Sequence, residues 1–358
     1  MVRQQQWHFY IAGSHKQLVD LILREYIASS YTLPGKKWHW KMRTGGLLLS
    51  TQVESSPDIS EDDVLFATST FSLCELLSLR PSLGKARKVL YFHENQLNYP
   101  RSKEEERDFQ FGWIQILSCL VADVVYFNSE WNRSSFLDSI PAFVNRSPDK
   151  EPKGVAEQIR AKSQVLYFPV QISHPITLSV NSTDSPLHIL WNHRWEHDKD
   201  PNTFFSVLFE LDEHHIPFHL SVLGESYEET PPIFAAAKER LASHIINFGF
   251  VESKEAYYAI LEKTDVCVST AIHEFFGVSV IEAEAFGNYC LCPNRLSYKE
   301  IFPRKQLYNT QAQLRKELKD LCLRPERVRN MERRKAASEH ASYYLWKNQK
   351  KEWDKALL

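Results

Sequence analysis

Short apolar runs that end on a polar or turn residue, separated by longer stretches of helical periodicity, recur along this chain and limit what it can fold into. "DVLFATS" (63–69), "KVLYFHE" (88–94), "DVVYFNS" (123–129) and "SQVLYFPV" (163–170) each read as a buried strand. Between them, "SHKQLVDLILREYI" (14–27) and "DFQFGWIQILSCLVA" (108–122) carry apolar residues at helical spacing. Strands that alternate with helices pair in parallel, because the helix supplies the crossover. The stretch "QISHPITLSVNSTDSPL" (171–187), rich in Ser, Pro and Thr, reads as a linker. After it the alternation restarts with "HILWNHR" (188–194), "FHLSVLGE" (218–225), "IINFGFV" (245–251), "DVCVSTA" (265–271) and "NYCLCP" (288–293). The expectation is an α/β protein of two Rossmann-like domains, 1–170 and 186–337. The tail, about 338–358, reads as a helix with Trp346 and Trp353 on one face, packing back on the first domain.

A length of 358 residues suits two such domains. The net charge of −2 gives no global pull on nucleic acid, so a polyanionic partner has to be met by a local patch. No apolar run reaches the roughly 18 residues of a membrane span, and the start lacks the apolar segment of a secretory signal; a soluble, cytoplasmic protein, with a nuclear pool possible, is expected. The six cysteines show no metal-ligand spacing and read as buried thiols.

In open α/β sheets ligands bind beyond the carboxyl ends of the strands. There the second half offers Arg194 and Lys199 after its first strand, Gly224, Gly249, and "HEFFG" (273–277), where a helix should open at Gly277. The free N–H groups of such a helix suit a diphosphate; Arg194 adds forked hydrogen bonds and Lys199 a point charge. Glu274 falls in the loop before the helix and Glu282 in its second turn. Eight residues at ~1.5 Å each set them ~12 Å apart, too far to share one reacting atom. They are read as gripping two ends of one long ligand, a sugar at Glu274 and a ribose at Glu282; the bland alternative is a pair of ordinary helix-end charges.

"GKKWHWKMR" (35–43) interleaves Lys36, Lys37, Lys41 and Arg43 with Trp38, His39 and Trp40. It is read as a loop in which cations meet phosphates and flat rings stack on splayed RNA bases. The alternative is a solvated loop with its tryptophans tucked into the core. The basic stretch from Arg324 to Lys355, interspersed with glutamates, reads as a solvated helix.

The carboxylate spacing, the Arg and Lys after the first strand of the second half, and the strand–Gly signals resemble the retaining glycosyltransferases of the GT-B fold, whose two Rossmann-like domains have parallel sheets facing across a cleft. More narrowly, "GSHKQL" (13–18), "YTLPGKKWHWKMR" (31–43), "LYFHENQLNYP" (90–100), "QILSCLVADVV" (115–125), "HRWEHDKDP" (193–201) and "HEFFGV" (273–278) resemble the tRNA-queuosine alpha-mannosyltransferase family. The resemblance implies transfer of mannose from GDP-mannose to queuosine at the wobble position of tRNA-Asp, with retention and without a metal or other cofactor. It places the donor diphosphate at Arg194 and Lys199, mannose at Glu274, ribose at Glu282 and guanine against the backbone of Gly249 and Phe250. Gly224, Phe275, Phe276 and Gly277 complete the donor set. Gly13 and Ser14, after the first strand, face the donor phosphates and the acceptor; His93 sits beside the sugar's reacting face, with Glu94 and Asn95 on the acceptor side. The start, "RQQQWHFYIAGSH" (3–15), is polar early and has Ala12 where relatives carry a second glycine, which leaves open how well the first strand forms and how closely the loop's backbone approaches the donor.

With no evident nucleophile pair, retention points to a front-face displacement in which the leaving diphosphate takes the acceptor's proton while Arg194, Lys199 and the helix end steady its charge. Two other classes fit less well: a glycosyltransferase with a non-RNA acceptor, and a non-catalytic RNA-binding protein on a degenerate GT-B fold. Guanine, mannose and tRNA-Asp rest on the resemblance alone.

Overall fold

A computed structural model describes residues 6–11, 15–34, 37–53, 59–99, 108–148, 152–226 and 230–358. The chain forms two compact units, Met1–Pro169 with Gln349–Leu358, and Val170–Asn348.

The first unit is built on a sheet of six strands, β1 (Gln6–Ile11), β2 (Ala28–Leu33), β3 (Val64–Thr68), β4 (Arg87–Phe92), β5 (Val124–Phe127) and β6 (Ser163–Val165), in the order β2-β1-β3-β4-β5-β6. All pairings are parallel. Its helices are α1 (His15–Glu25), α2 (Trp38–Ser50), α3 (Leu73–Leu79), α4 (Phe109–Val121), α5 (Glu130–Val144) and α6 (Val155–Arg160). Every residue of β3 is buried, as befits a parallel strand covered on both faces. The first strand forms despite its polar start. It lies between β2 and β3, with Gln6 opposite both Ala28 and Val64, so its backbone is paired on both edges.

The stretch expected as a basic loop is instead the first half of α2, with Lys37 in the left-handed region (φ 53°) just before it. Met42, Gly45, Gly46 and Leu49 face inward at helical spacing. The glycine pair, poor in helix propensity, hides this helix from a reading of the sequence.

The second sheet also has six strands, β7 (Leu187–Asn192), β8 (Phe218–Leu223), β9 (Ile245–Gly249), β10 (Val266–Val268), β11 (Tyr289–Pro293) and β12 (Leu307–Tyr308), in the order β12-β11-β10-β7-β8-β9. They too are parallel. The helices are α7 (Pro201–Glu213), α8 (Ile233–Arg240), α9 (Lys254–Lys263), α10 (Val278–Ala285), α11 (Tyr298–Ile301), α12 (Gln311–Leu323), α13 (Met331–Ser342) and α14 (Trp346–Leu357). From β7 the strand order runs one way through β8 and β9 and the other way through β10, β11 and β12. That reversal leaves a crevice at the carboxyl ends of β7 and β10, where doubly wound sheets bind ligands.

The segment read as a linker is tied to the second unit. Arg329 donates to the carbonyls of Ser182, Ser185 and Pro186 and pairs with the fully buried Asp265 at 2.7 Å. The reading of 324–355 as a plain solvated helix fails at Arg334, which is 1 % exposed and donates to the carbonyls of Glu262, Thr264 and Phe286. The tail is two helices: residues 338–342 finish α13, and α14 follows after a turn at 343–345. The last ten residues join the first unit. There Trp353 is fully buried against Phe66 and Tyr91, its Nε1 donating to the Tyr167 carbonyl at 3.1 Å. All six cysteines are free, and only Cys74 is not buried. No helix among the described residues is long and apolar enough to cross a membrane.

Candidate active site

The chain leaves β7 at Asn192, runs through His193 and Arg194, and makes a single 3-10 turn at His197–Lys199. Asp200, left-handed at φ 47°, ends that turn and caps α7 by accepting from the Thr203 amide, with Pro201 opening the helix. This tight connection directs Lys199 inward. Its Nζ donates to the His273 carbonyl (2.9 Å), Glu274 Oε2 (3.2 Å) and Asp198 Oδ2 (3.1 Å), so all three of its protons are committed. Glu274 Oε1 accepts from the amides of Phe275 (3.1 Å) and Phe276 (3.4 Å).

Charge pairing dominates here. Burial pushes the Glu274 carboxyl up, but Lys199, the neighbouring His193 and the hydrogen bonds outweigh it and hold the group down to about 2. Burial works against the Lys199 ammonium as well, and Glu274 with Asp198 raises it above its ordinary value. His193 and His273, desolvated and close to Lys199, are pushed down to about 4 and are neutral at physiological pH. His193 is 4 % exposed, and its Nε2 has no hydrogen-bond partner among the described residues.

Beside this cluster lies a cavity of about 380 Å³, within the range of small-molecule sites. Asn192, His193 and Arg194 line it from the end of β7, Gly224 and Glu225 from the end of β8, Phe250 to Ser253 from the loop after β9, and Lys254 and Tyr257 from the start of α9. Gly224 is required: at φ 149°, a Cβ there would lie 1.8 Å from the His193 carbonyl oxygen. The Phe250 ring is 66 % exposed, a flat apolar surface at the cavity wall. Arg194 is half-exposed and pairs with Glu196 at 3.2 Å. Ser279, in the first turn of α10, also lines the cavity. The turn into that helix is made at Gly277 (φ 93°), where a Cβ would meet the Tyr298 ring at 2.9 Å.

Glu282, on α10, is buried by α9. Its Oε1 accepts from Lys254 Nζ and its Oε2 from Tyr257 Oη, both at 3.1 Å. Asn192 Nδ2 donates to Tyr257 Oη (3.1 Å) and to the Ser279 carbonyl (2.8 Å), linking β7, α9 and α10. Burial raises the Glu282 carboxyl, with Lys254 opposing. The two glutamates therefore hold separate cations, Lys199 and Lys254. Asn192, Asp198, His193, Lys254 and Tyr257 were missed from the sequence. Their roles come from neighbours far along the chain, and only the place of Asn192 and His193 at a strand end hinted at them.

Several expected donor residues enter in other ways. Phe275 and Phe276 are buried side chains whose amides serve Glu274, and the backbone after Gly249, not Gly249 itself, lines the cavity. Gly13, Ser14 and Lys36 lie outside the described residues. In the first unit, His93 follows β4, buried against Tyr91 and Phe168, and its carbonyl accepts from Asn128. Glu94 is half-buried beside Gln96. Asn95 is fully buried, with its amide nitrogen donating to Asn132 and Ser135 and its Oδ1 accepting from Asn98. These bonds tie its loop to α5. Of the basic-aromatic set, Lys37, Trp38, His39 and Trp40 are exposed and Lys41 is half-buried. Arg43 lies 4.2 Å over the Phe111 ring, 3.6 Å from Asp108. Among the described residues no group of three His, Cys, Asp or Glu side chains could hold a metal ion.

Residues 8–170 match a family model described as tRNA-queuosine alpha-mannosyltransferase N-terminal, and residues 179–336 match glycosyl transferases group 1. A Drosophila melanogaster tRNA-queuosine alpha-mannosyltransferase is 43% identical over 327 residues, 88% of this chain and 86% of that protein. Among solved structures, a sucrose-phosphate synthase from Thermosynechococcus elongatus superposes with a TM-score of 0.71 at 14% identity, covering 99% of this chain and 98% of that one. A lipopolysaccharide outer core galactosyltransferase superposes with a TM-score of 0.63 at 13% identity, again covering 99% and 98%. The fold is GT-B.

Proposed function

The chain belongs to the tRNA-queuosine alpha-mannosyltransferase family, and from that premise we propose that it transfers mannose from GDP-mannose to queuosine at the wobble position of tRNA-Asp, with retention. It is a glycosyltransferase enzyme. The observation that carries the finer reading is the cavity at the strand-order reversal, flanked by Arg194, the Lys199–Glu274 pair and the buried Glu282.

An ionised carboxylate has about four acceptor sites. Glu274 has given three, to Lys199, Phe275 and Phe276, which leaves one for a sugar hydroxyl. Glu282 has given two, to Lys254 and Tyr257, which leaves two for the paired hydroxyls of a ribose. Arg194 lines the cavity and the start of α10 adds backbone dipoles, which supports a diphosphate between the two acids. Support for guanine comes from the base end. The exposed Phe250 ring offers a stacking face, and the Glu252 carboxylate beside it matches the adjacent N1–H and N2–H donors of guanine. Uracil presents its one N–H between two carbonyls, which a carboxylate repels.

In the reaction the bond from the anomeric carbon to the diphosphate oxygen breaks, and a bond to the queuosine hydroxyl oxygen forms on the same face. The hydroxyl proton passes to the departing diphosphate. Arg194 and α10 stabilise the charge that grows there, and Lys199 keeps Glu274 ionised and aimed at the sugar. The absence of a metal in this scheme is part of the proposal.

The test is incubation of purified protein with GDP-mannose or UDP-sugars and with tRNA-Asp or other tRNAs, with and without queuosine, followed by mass spectrometry of the released nucleosides. A hexose on queuosine of tRNA-Asp, with GDP-mannose alone, is expected. A hexose delivered as efficiently from a UDP-sugar as from GDP-mannose, or none on RNA, would overturn the reading.

A further inference from the structure

Trp38 and Trp40, in the first turn of α2, are 42 % and 59 % exposed, whereas Trp191 and Trp353 are fully buried. Burying a large apolar side chain is worth about 1.5–3 kcal/mol, so two open indoles in one helical turn, two residues apart and on different faces of it, ask for an occupant. Trp38 is held in place from beneath: its ring lies 5.3 Å from that of Phe111 and 6.3 Å from that of Tyr99. Phe111 is itself fixed by packing with Met42 and Ile114 and by the Arg43 guanidinium above it. Among the described residues Trp40 has only His39 as an aromatic neighbour, 6.4 Å away, and it is the more exposed of the two. The local sequence is cationic, with Asp108 set against Arg43 at 3.6 Å. Between Glu25 and Glu54 the sequence has no carboxylate but has Lys36, Lys37, Lys41 and Arg43, in a chain whose net charge is −2.

We propose that Trp40 forms a stacking shelf for unpaired bases of an RNA loop, with Trp38 offering a second ring face across the same helical turn, Lys37 and Lys41 meeting the phosphates, and Arg43 over Phe111 bracing Trp38 from behind. Flat rings offered to solvent next to cations suit single-stranded RNA, whose splayed bases present π-faces that a duplex hides. A protein partner on the same helix would favour Leu47 and Leu48, also exposed, but gains nothing from the run of cations without carboxylates. The inference rests on the acceptor being RNA, as proposed above, and adds which residues touch it and how.

The experiment compares full-length wild type, Trp40→Ala and Trp40→Tyr, measuring the KM for queuosine-containing tRNA and the KM for the donor separately. Base stacking on an aromatic ring is worth about 1–3 kcal/mol, so Trp40→Ala should raise the tRNA KM by roughly 5- to 150-fold, with the donor KM within about twofold and with Trp40→Tyr recovering most of the loss. Lys37→Ala should flatten the log–log salt dependence of tRNA binding by about 0.7–0.9. An unchanged tRNA KM in Trp40→Ala, or an equal rise in the KM of both substrates, would overturn the shelf. Failure of the wild type to modify tRNA would instead sink the functional reading on which it stands.

Discussion

Replacing Lys199 by methionine keeps the length and the apolar stem but removes the cation from a buried triad. The side chains of Lys199, Asp198 and Glu274 are 9 %, 13 % and 19 % exposed. Taking away one partner of a buried pair costs about 3–5 kcal/mol, because the other charge stays desolvated and unpaired; here two carboxylates are left facing each other. The size of the Glu274 displacement agrees. A carboxyl held near 2 in the fold against an ordinary 4.5 contributes roughly 3 kcal/mol, present above pH 4.5 and lost as pH falls from there toward 2. In Lys199→Met that contribution is gone at neutral pH, and the strain is relieved only when the acids take up protons. His193 and His273, pushed down by burial and by Lys199, also gain a proton more readily once Lys199 is absent. Acidification should therefore help the variant relative to wild type. Urea denaturation at pH 7.5, 6 and 5 measures this: a deficit of about 3–5 kcal/mol at pH 7.5 is expected to shrink steadily toward pH 5. A variant as stable as wild type at pH 7.5, or a deficit that widens on acidification, would refute the reasoning.

Gly224→Ala should lower stability by at least about 2 kcal/mol and abolish donor binding, since its Cβ would meet the His193 carbonyl at 1.8 Å in a backbone conformation that side chains rarely adopt; a denaturant midpoint equal to wild type would contradict this. Glu252→Gln keeps the shape of the side chain but not the double acceptor, so the KM for GDP-mannose should rise about tenfold while any weak use of UDP-sugars is unchanged or improved. Steady-state kinetics with the two donors decides it, and equal KM values for GDP-mannose in variant and wild type would remove the guanine contact.

Much of the architecture was legible because parallel strands are buried on both faces and so read as apolar runs: β3, β4, β5, β7 and β8 stand where "DVLFATS", "KVLYFHE", "DVVYFNS", "HILWNHR" and "FHLSVLGE" put them. The elements that escaped lack that signature. β1, named in the sequence but left open by its polar start, opens on Gln6 and is secured by neighbours on both edges, and α2 carries Gly45–Gly46 where a helix signal should be strongest. At the site, residue types at strand ends pointed to Arg194, Lys199, Glu274 and Glu282. What they could not convey was pairing across distance. That Lys254 and Tyr257 hold Glu282, that Asn192 links them to the end of β7, and that Lys199 is shared by two acids are facts of three-dimensional adjacency.

The burial of Trp353 among Phe66, Tyr91 and Tyr167 has a consequence for biosynthesis. The amino-terminal half leaves the ribosome long before the indole that plugs its interior, and must wait with that void open while the whole intervening module is translated. A stop codon anywhere after position 345 but ahead of the plug would spare every residue of the donor cavity and still release a product that chaperones and proteases recognise as unfinished.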